Sequence, residues 1–205
     1  DPGPNENQIK LKTTKTGSYT TSDLEVNLEP WEVELREGKR KGQGFKSGVA
    51  VIAKNFGNLR PNPANPYRSG IYTASKDSKY QNFANYDEGL KGLIWDIKSK
   101  QHKDGLSSSV VKEGASILDA IKGYAPAADK NNPESYTNFI VDFVNEQTDG
   151  DFSTSSKASD FPTDVLVEAI IMKEDISLYK EMKARGFFSD RLSSYAKEIT
   201  KINLV

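Results

Sequence analysis

In the run Asp87-Glu88-Gly89-Leu90-Lys91-Gly92-Leu93-Ile94-Trp95-Asp96-Ile97, the apolar residues Leu90, Leu93, Ile94 and Ile97 fall on one face at helical spacing. Asp87 stands where a side chain can cap the start of that helix. Just upstream the period changes. Ser69-Gly70-Ile71-Tyr72-Thr73-Ala74 and Tyr80-Gln81-Asn82-Phe83-Ala84 flank the polar run Ser75-Lys76-Asp77-Ser78-Lys79. Two aromatic segments around a five-residue polar loop read as a β-hairpin. Downstream, helical pattern returns four times. It covers Ala115 to Lys122, closed near Gly123, and then starts at Pro133, with Tyr136, Phe139, Ile140 and Phe143 as the stripe. It continues from Pro162 to Lys173 and from Ser177 to Ile199, while residues 149–160, rich in Ser, Asp and Gly, read as loop. One small hairpin among several helices predicts a mainly α (α+β) fold.

The N-terminal side is less regular. Residues 1–22 are rich in Lys, Thr, Ser and Asn and read as an arm. Leu24-Glu25-Val26-Asn27-Leu28 and Val33-Glu34-Leu35 alternate in the strand period around Pro30. They suit an edge hairpin or, equally, an extended segment that pairs with a neighbouring subunit. Gly38 to Gly48 holds four glycines and four basic residues and reads as a loop. The apolar run Gly48-Val49-Ala50-Val51-Ile52-Ala53 must be buried, and it leads into the turn-rich Lys54-Asn55-Phe56-Gly57-Asn58-Leu59-Arg60-Pro61. The expected division is an extended N-terminal arm over residues 1–47 and a helical domain over residues 48–205.

Composition narrows the chemistry. Twenty-eight basic residues against 29 acidic ones leave a formal charge of −1, so the surface has no general attraction for nucleic acid or anionic lipid. No stretch approaches the roughly 20 apolar residues of a membrane span. The absence of cysteine excludes disulfides, thiolate nucleophiles and zinc-thiolate sites. His102 is the only histidine, and no Gly-x-Ser-x-Gly turn accompanies it, so it reads as a surface residue. Catalysis, if present, falls to carboxylates or other oxygen groups, with no metal and no cofactor expected.

Three stretches, in order, carry a resemblance: Asn55-Phe56-Gly57-Asn58-Leu59-Arg60, then Phe83 to Leu93 with Gly89-Leu90, then Tyr124-Ala125-Pro126 through Asn131-Asn132-Pro133 to Tyr136. A fourth is Ala169-Ile170-Ile171-Met172-Lys173-Glu174-Asp175. Together they resemble the virion-associated lysozyme-like family of phage and prophage structural proteins. That family has an N-P-G-N-I/L-R turn, an F-x-x-x-x-x-G-L/I-x-A-L helix start, a W/Y-A-P element and a helix ending A-I-I-x-H-E-N-G. In this chain Phe56 stands for the Pro, Gly92 for the Ala, Asp129 near the expected Glu, and Lys173-Glu174-Asp175 for His-Glu-Asn. The resemblance covers roughly residues 50–182. It implies a lysozyme-like fold in which a small β element walls a saccharide cleft.

The residues themselves suggest roles. Leu166, Ile170 and Glu174 share a helix face, so Glu174 closes an apolar stripe at a helix C-terminus. Desolvation and the negative end of the helix dipole both favour its protonated form, as a glycosidase general acid requires. Solvation at a frayed end, or pairing with a Lys, is the plain alternative. Glu88 is the candidate second carboxylate, although acidic residues in a first helical turn also suit capping and the dipole, as for Asp87. Asp175 is a further candidate, pointing about 100° away from Glu174.

In the 55–60 turn, Gly57 is expected at positive φ. Asn55 and Asn58 are expected to bond backbone or ligand. Arg60 suits a carboxylate such as the lactyl group of N-acetylmuramic acid, or a nearby acid of the chain. Tyr80, Tyr86 and Tyr124 are candidate sugar-stacking rings, with Tyr124 equally suited to packing at a helix exit. The function implied is a peptidoglycan-degrading glycosidase, muramidase or lytic-transglycosylase-like, with glycan strands as substrate. Its expected location is a phage virion or the extracellular or periplasmic space, with residues 1–47 available to other virion proteins. The alternative is a non-catalytic virion assembly protein that retains the fold. A third reading is a carbohydrate-binding module using Tyr72, Tyr80 and Tyr86.

Overall fold

The computed structural model describes residues 17–38, 48–101 and 114–202. In chain order its elements are β1 (Gly17–Thr20), α1 (Thr21–Glu25), α2 (Pro30–Glu37), α3 (Val49–Ile52), β2 (Gly70–Ser75) and β3 (Ser78–Asn82). They continue with α4 (Tyr86–Gln101), α5 (Ile117–Tyr124), α6 (Pro133–Thr148), α7 (Thr163–Glu174), α8 (Ile176–Ala184) and α9 (Phe188–Ile202). The fold is mainly helical with a small three-stranded sheet, the expected α+β class. The chain forms two compact units. The first comprises the described residues of Asp1–Leu93 with Glu174–Arg191, and the second Ile94–Lys173 with the described residues of Leu192–Val205.

In the first unit the hairpin forms where the aromatic alternation places it. Gly70 pairs with Asn82 and Tyr72 with Tyr80, antiparallel, and the two rings stack with centroids 6.5 Å apart. Such a cross-strand pair is a main stabilising unit of a sheet. The connecting loop is shorter than expected, because Ser75 pairs with Ser78 and leaves only Lys76-Asp77 at the tip.

The N-terminal segment departs from its sequence reading. Gly17–Thr20 is a strand, parallel to β2 from Gly17↔Gly70 to Thr20↔Thr73. A Cβ on Gly70 would lie 2.5 Å from the Gly17 carbonyl oxygen, so the close pairing requires glycine there. The segments around Leu24 and Val33, read as strands, are the helices α1 and α2. Their caps decide this. The Thr20 hydroxyl accepts the Asp23 N–H at 3.3 Å while the Asp23 carboxylate accepts the Thr20 N–H at 2.7 Å. Pro30 occupies the first turn of α2, Glu32 accepts the Glu29 N–H, and Gly38 closes the helix at φ 68°. Burial follows the helical spacing of Glu32 and Leu35, and Val26 is 76% exposed. Leu24 joins Ile52, Ala53 and Tyr72 in a buried cluster, so residues 17–38 are built into this unit. Residues 1–16 of the expected arm, 39–47 of the expected loop, and His102 lie outside the described residues.

The start of α4 is capped by Asn85, whose side chain accepts the Glu88 N–H at 2.8 Å. Asp87, the expected cap, instead pairs with Arg191 at 2.9 Å. Two glycines in this helix are set by contact. A Cβ on Gly89 would lie 1.9 Å from the Lys54 carbonyl oxygen, and one on Gly92 would lie 2.3 Å from the Phe83 ring.

In the second unit, Ile94, Trp95 and Ile97 of α4 are buried. Ser116 caps α5 by accepting the Asp119 N–H at 3.1 Å, and Gly123 falls inside the helix rather than ending it. Helix α6 starts at Pro133 as expected, but its buried face is Tyr136, Thr137, Ile140, Val141 and Val144. The expected Phe139 and Phe143 sit half-buried at its margin. Helix α7 buries Leu166, Val167, Ala169, Ile170 and Ile171, while α9 buries Leu192, Ala196 and Ile199 at helical spacing. No helix among the described residues is long and apolar enough to cross a membrane.

The contact at Gly89 makes a direct test. Gly89→Ala should lower unfolding free energy by about 1–3 kcal/mol in urea denaturation, because neither backbone can yield without moving the helix. Lys180→Ala, at an exposed position of α8, should stay within about 0.5 kcal/mol of wild type.

Candidate active site

The apolar run 49–52 forms the short, buried helix α3, and the chain leaves it through a turn with two left-handed residues. These are Lys54 at φ 54° and Asn58 at φ 51°; Gly57, the residue expected at positive φ, does not have it. Asn tolerates this conformation through its short polar side chain, and a lysine occupies it less often. Asn55 holds the turn closed. Its amide donates to the carbonyls of Leu59 at 3.0 Å and Gln81 at 2.9 Å, and its side-chain oxygen accepts the Leu59 N–H at 2.9 Å. Asn55 is 0% exposed, so the ligand-binding role expected of it gives way to a structural one.

Asn58 projects from the same turn to a different motif. Its Nδ2 donates to Glu174 Oε2 at 3.0 Å, joining residues 116 positions apart within the first unit. Glu174 is the last residue of α7 and is half-buried. Asp175, next to it, caps α8 by accepting the Leu178 N–H at 3.0 Å. The donor is a neutral amide, and the oxygen it binds accepts from it in either protonation state, more strongly as carboxylate. Two residues beyond Asn58, the Arg60 guanidinium lies over the Tyr80 ring, 4.7 Å from its centroid, and donates to the Lys79 carbonyl at 3.3 Å. Arg60 is exposed and Tyr80 half-buried.

A cluster that sequence reasoning missed lies on the other side of the turn. Glu32 and Lys54 are 3% and 7% exposed, and Lys54 Nζ donates to Glu32 Oε2. The Tyr86 hydroxyl donates to the same oxygen at 2.6 Å, and Lys54 Nζ sits 4.6 Å from the centroid of the Tyr86 ring. That ring also meets Phe56, Trp31 and Phe187, at 5.4, 6.1 and 6.4 Å between centroids. Tyr86, expected as a sugar platform, is therefore a packing residue with a buried hydroxyl. Burial lowers the Lys54 amine from its ordinary value, against the opposing pull of Glu32 and Glu29. Burial, then Glu32, Asp175 and Glu29, hold the Tyr86 phenol well above its own. The available signal was the Glu29-Pro30-Trp31-Glu32 helix start, which marks α2 but says nothing of where Lys54 goes.

The remaining expected residues belong to both units. Glu88 is half-buried in the first turn of α4, in the first unit. Tyr124 belongs to the second unit, where its ring meets Tyr136 edge-on at 6.3 Å, which fits the packing reading. Tyr72 is 3% exposed and its hydroxyl bonds the Thr21 hydroxyl at 2.7 Å, so a sugar-binding surface built on Tyr72, Tyr80 and Tyr86 loses two of its three rings. An open groove of about 490 Å³ in the second unit is lined by Lys122, Pro126, Ala127, Asn131, Asn132, Pro133 and Glu134. Among the described residues, no group of three or more His, Asp or Glu side chains is arranged to hold a metal ion. Comparison with models of known protein families and with curated proteins finds no match to the chain.

A group whose folded value is raised contributes stability below its unfolded value and loses it as pH rises through the folded value. Tyr86 should therefore keep its proton beyond pH about 10, where exposed tyrosines ionise. In alkaline absorbance titration, Tyr86→Phe should leave the native-state rise near that pH unchanged and remove only signal that appears as the fold opens. The same variant should lose about 1.5–3 kcal/mol in urea, since the Glu32 carboxylate loses a donor.

Proposed function

We propose that the first unit carries a glycoside-cleaving site centred on Glu174, acting on the glycan strands of peptidoglycan from within a phage virion. The observation that supports it most is the Asn58–Glu174 hydrogen bond at 3.0 Å. Two residues singled out from separate motifs meet, and the carboxyl is held at one oxygen in a half-buried position. In this reading Glu174 is the general acid that protonates the leaving glycosidic oxygen, and Asn58 fixes its orientation. Arg60 over Tyr80 offers an apolar ring beside a cation, which suits a sugar face that carries a lactyl carboxylate. Glu88 is the candidate for the second carboxylate of the pair.

One observation favours the alternative of a non-catalytic virion assembly protein. The positions flanking Glu174 have structural work of their own. Lys173 lies 5.5 Å from the Phe139 centroid and 5.8 Å from that of Tyr136, and Asp175 caps α8. Neither supplies the His or Asn that the resemblance leads one to expect there.

Turbidity loss of purified Gram-negative peptidoglycan at pH 5 to 8 separates the two. Wild type should clear the wall, and Glu174→Gln, which keeps shape and removes the acid, should slow clearing by roughly 10²- to 10⁴-fold. Asn58→Ala should slow it less. Clearing by wild type and Glu174→Gln alike would remove Glu174 from the chemistry. No clearing by the folded wild type would favour the assembly protein.

A further inference from the structure

Three elements converge on the residue that opens the 55–60 turn. Helix α2 supplies Glu32, whose carboxylate receives Lys54 Nζ. Helix α4 supplies Tyr86, whose hydroxyl donates to the same Glu32 oxygen at 2.6 Å and whose ring lies 4.6 Å from Lys54 Nζ. One turn further along α4, Gly89 lets the helix backbone close on the Lys54 carbonyl, where a Cβ would stand at 1.9 Å. Between these contacts Lys54 sits at φ 54°, in the left-handed region that few residues with a Cβ occupy. Four residues on, Asn58 repeats the left-handed turn and reaches Glu174.

We infer that Glu32 is a positioning residue for the Glu174 carboxyl. By neutralising Lys54 inside the fold, it fixes the left-handed start of the turn from which Asn58 bonds Glu174. A buried ammonium without its counter-ion turns toward water. With the Tyr86 ring and the α4 backbone packed against it, Lys54 reaches water by displacing these contacts, and the turn that aims Asn58 shifts with them. The inference rests on the glycosidase reading for its catalytic meaning, but the Asn58–Glu174 bond can be observed without activity. It gives α2, which lies outside the resemblance, a part in the site.

The test uses the full chain. Glu32→Gln keeps shape and removes the charge; Glu32→Leu/Lys54→Met replaces both charges with apolar side chains, so that neither is left alone. Thermal melting establishes that each is folded. The Asn58 side-chain amide signals, assigned by their loss in Asn58→Ala, report the bond by NMR, and Glu174→Ala marks their positions when the acceptor is gone. Glu32→Gln should shift these signals toward the Glu174→Ala positions, whereas the double variant, with no ammonium to seek water, should keep them near their wild-type positions. The maximal rate of wall clearing by Glu32→Gln should fall toward that of Asn58→Ala while the half-saturating wall concentration holds. Asn58 signals that stay at their wild-type positions in folded Glu32→Gln, or that shift equally in the double variant, overturn the inference, whatever clearing does. Absence of clearing by wild type counts against the glycosidase reading alone and leaves the amide signals to decide the positioning role. If Glu32→Gln unfolds, Glu32→Asp, whose shorter side chain draws the carboxylate away from Lys54, carries the decision with the same expected shift.

Discussion

An ammonium group removed from water needs a carboxylate within reach, and in the first unit that requirement organises three segments around Lys54. Glu32 reaches it from α2, Tyr86 covers it from α4, and Gly89 lets α4 close on its backbone. Breaking such a pair strands a charge and costs about 3–5 kcal/mol, whereas replacing both members with apolar groups is often neutral. The pair is therefore better explained by what it specifies than by what it stabilises. It selects one docking of α2 and one path for the chain leaving α3. The Asn55 bonds then carry that path across to β3, and Asn58 delivers it to Glu174.

The parts of the fold legible in sequence were those whose pattern is long or doubly marked. The hairpin announces itself by aromatic alternation on both sides of a polar turn, and α4, α6 and α7 by apolar spacing over three or more turns. The N-terminal helices are five and eight residues long. Over so few residues, alternation and helical spacing choose nearly the same positions, and the capping residues decide. Thr20 with Asp23, and Pro30 with Glu32, were present to be read. The shifted face of α6 has a different cause. Thr137 is buried on that helix with its hydroxyl bonded to the Pro133 carbonyl at 2.6 Å, so a polar residue occupies a core position that a hydrophobic stripe excludes.

The site was legible to the extent that motifs name residues, and no further. Asn58 and Glu174 were both singled out, but their meeting across 116 positions is a property of the fold. Asn55 carries the same side chain as Asn58, three residues away, and only burial separates the one that builds the turn from the one that leaves it. Glu32 and Lys54 could not be found this way. Glu32 stands beside the Val33-Glu34-Leu35 alternation and Lys54 follows the apolar run 48–53, and neither pattern shows that the two charges pair. Gly92, which departs from the family's alanine, became intelligible once the Phe83 ring was seen where a methyl group would stand.

The sheet joins pairings of very different reach. Gly70 meets Asn82 twelve residues along the chain, whereas Gly17 meets Gly70 across fifty-three. Closing the longer loop costs on the order of 1 kcal/mol more in chain entropy, at about 0.6 kcal/mol for each doubling of length. The hairpin can thus form from local encounters, while β1 has no edge to join until β2 already exists. The expected order of assembly runs against the order of synthesis. Of the three strands of this sheet, the one made first waits for the other two, and the segment bearing Glu32 is set in place after the hairpin rather than before it.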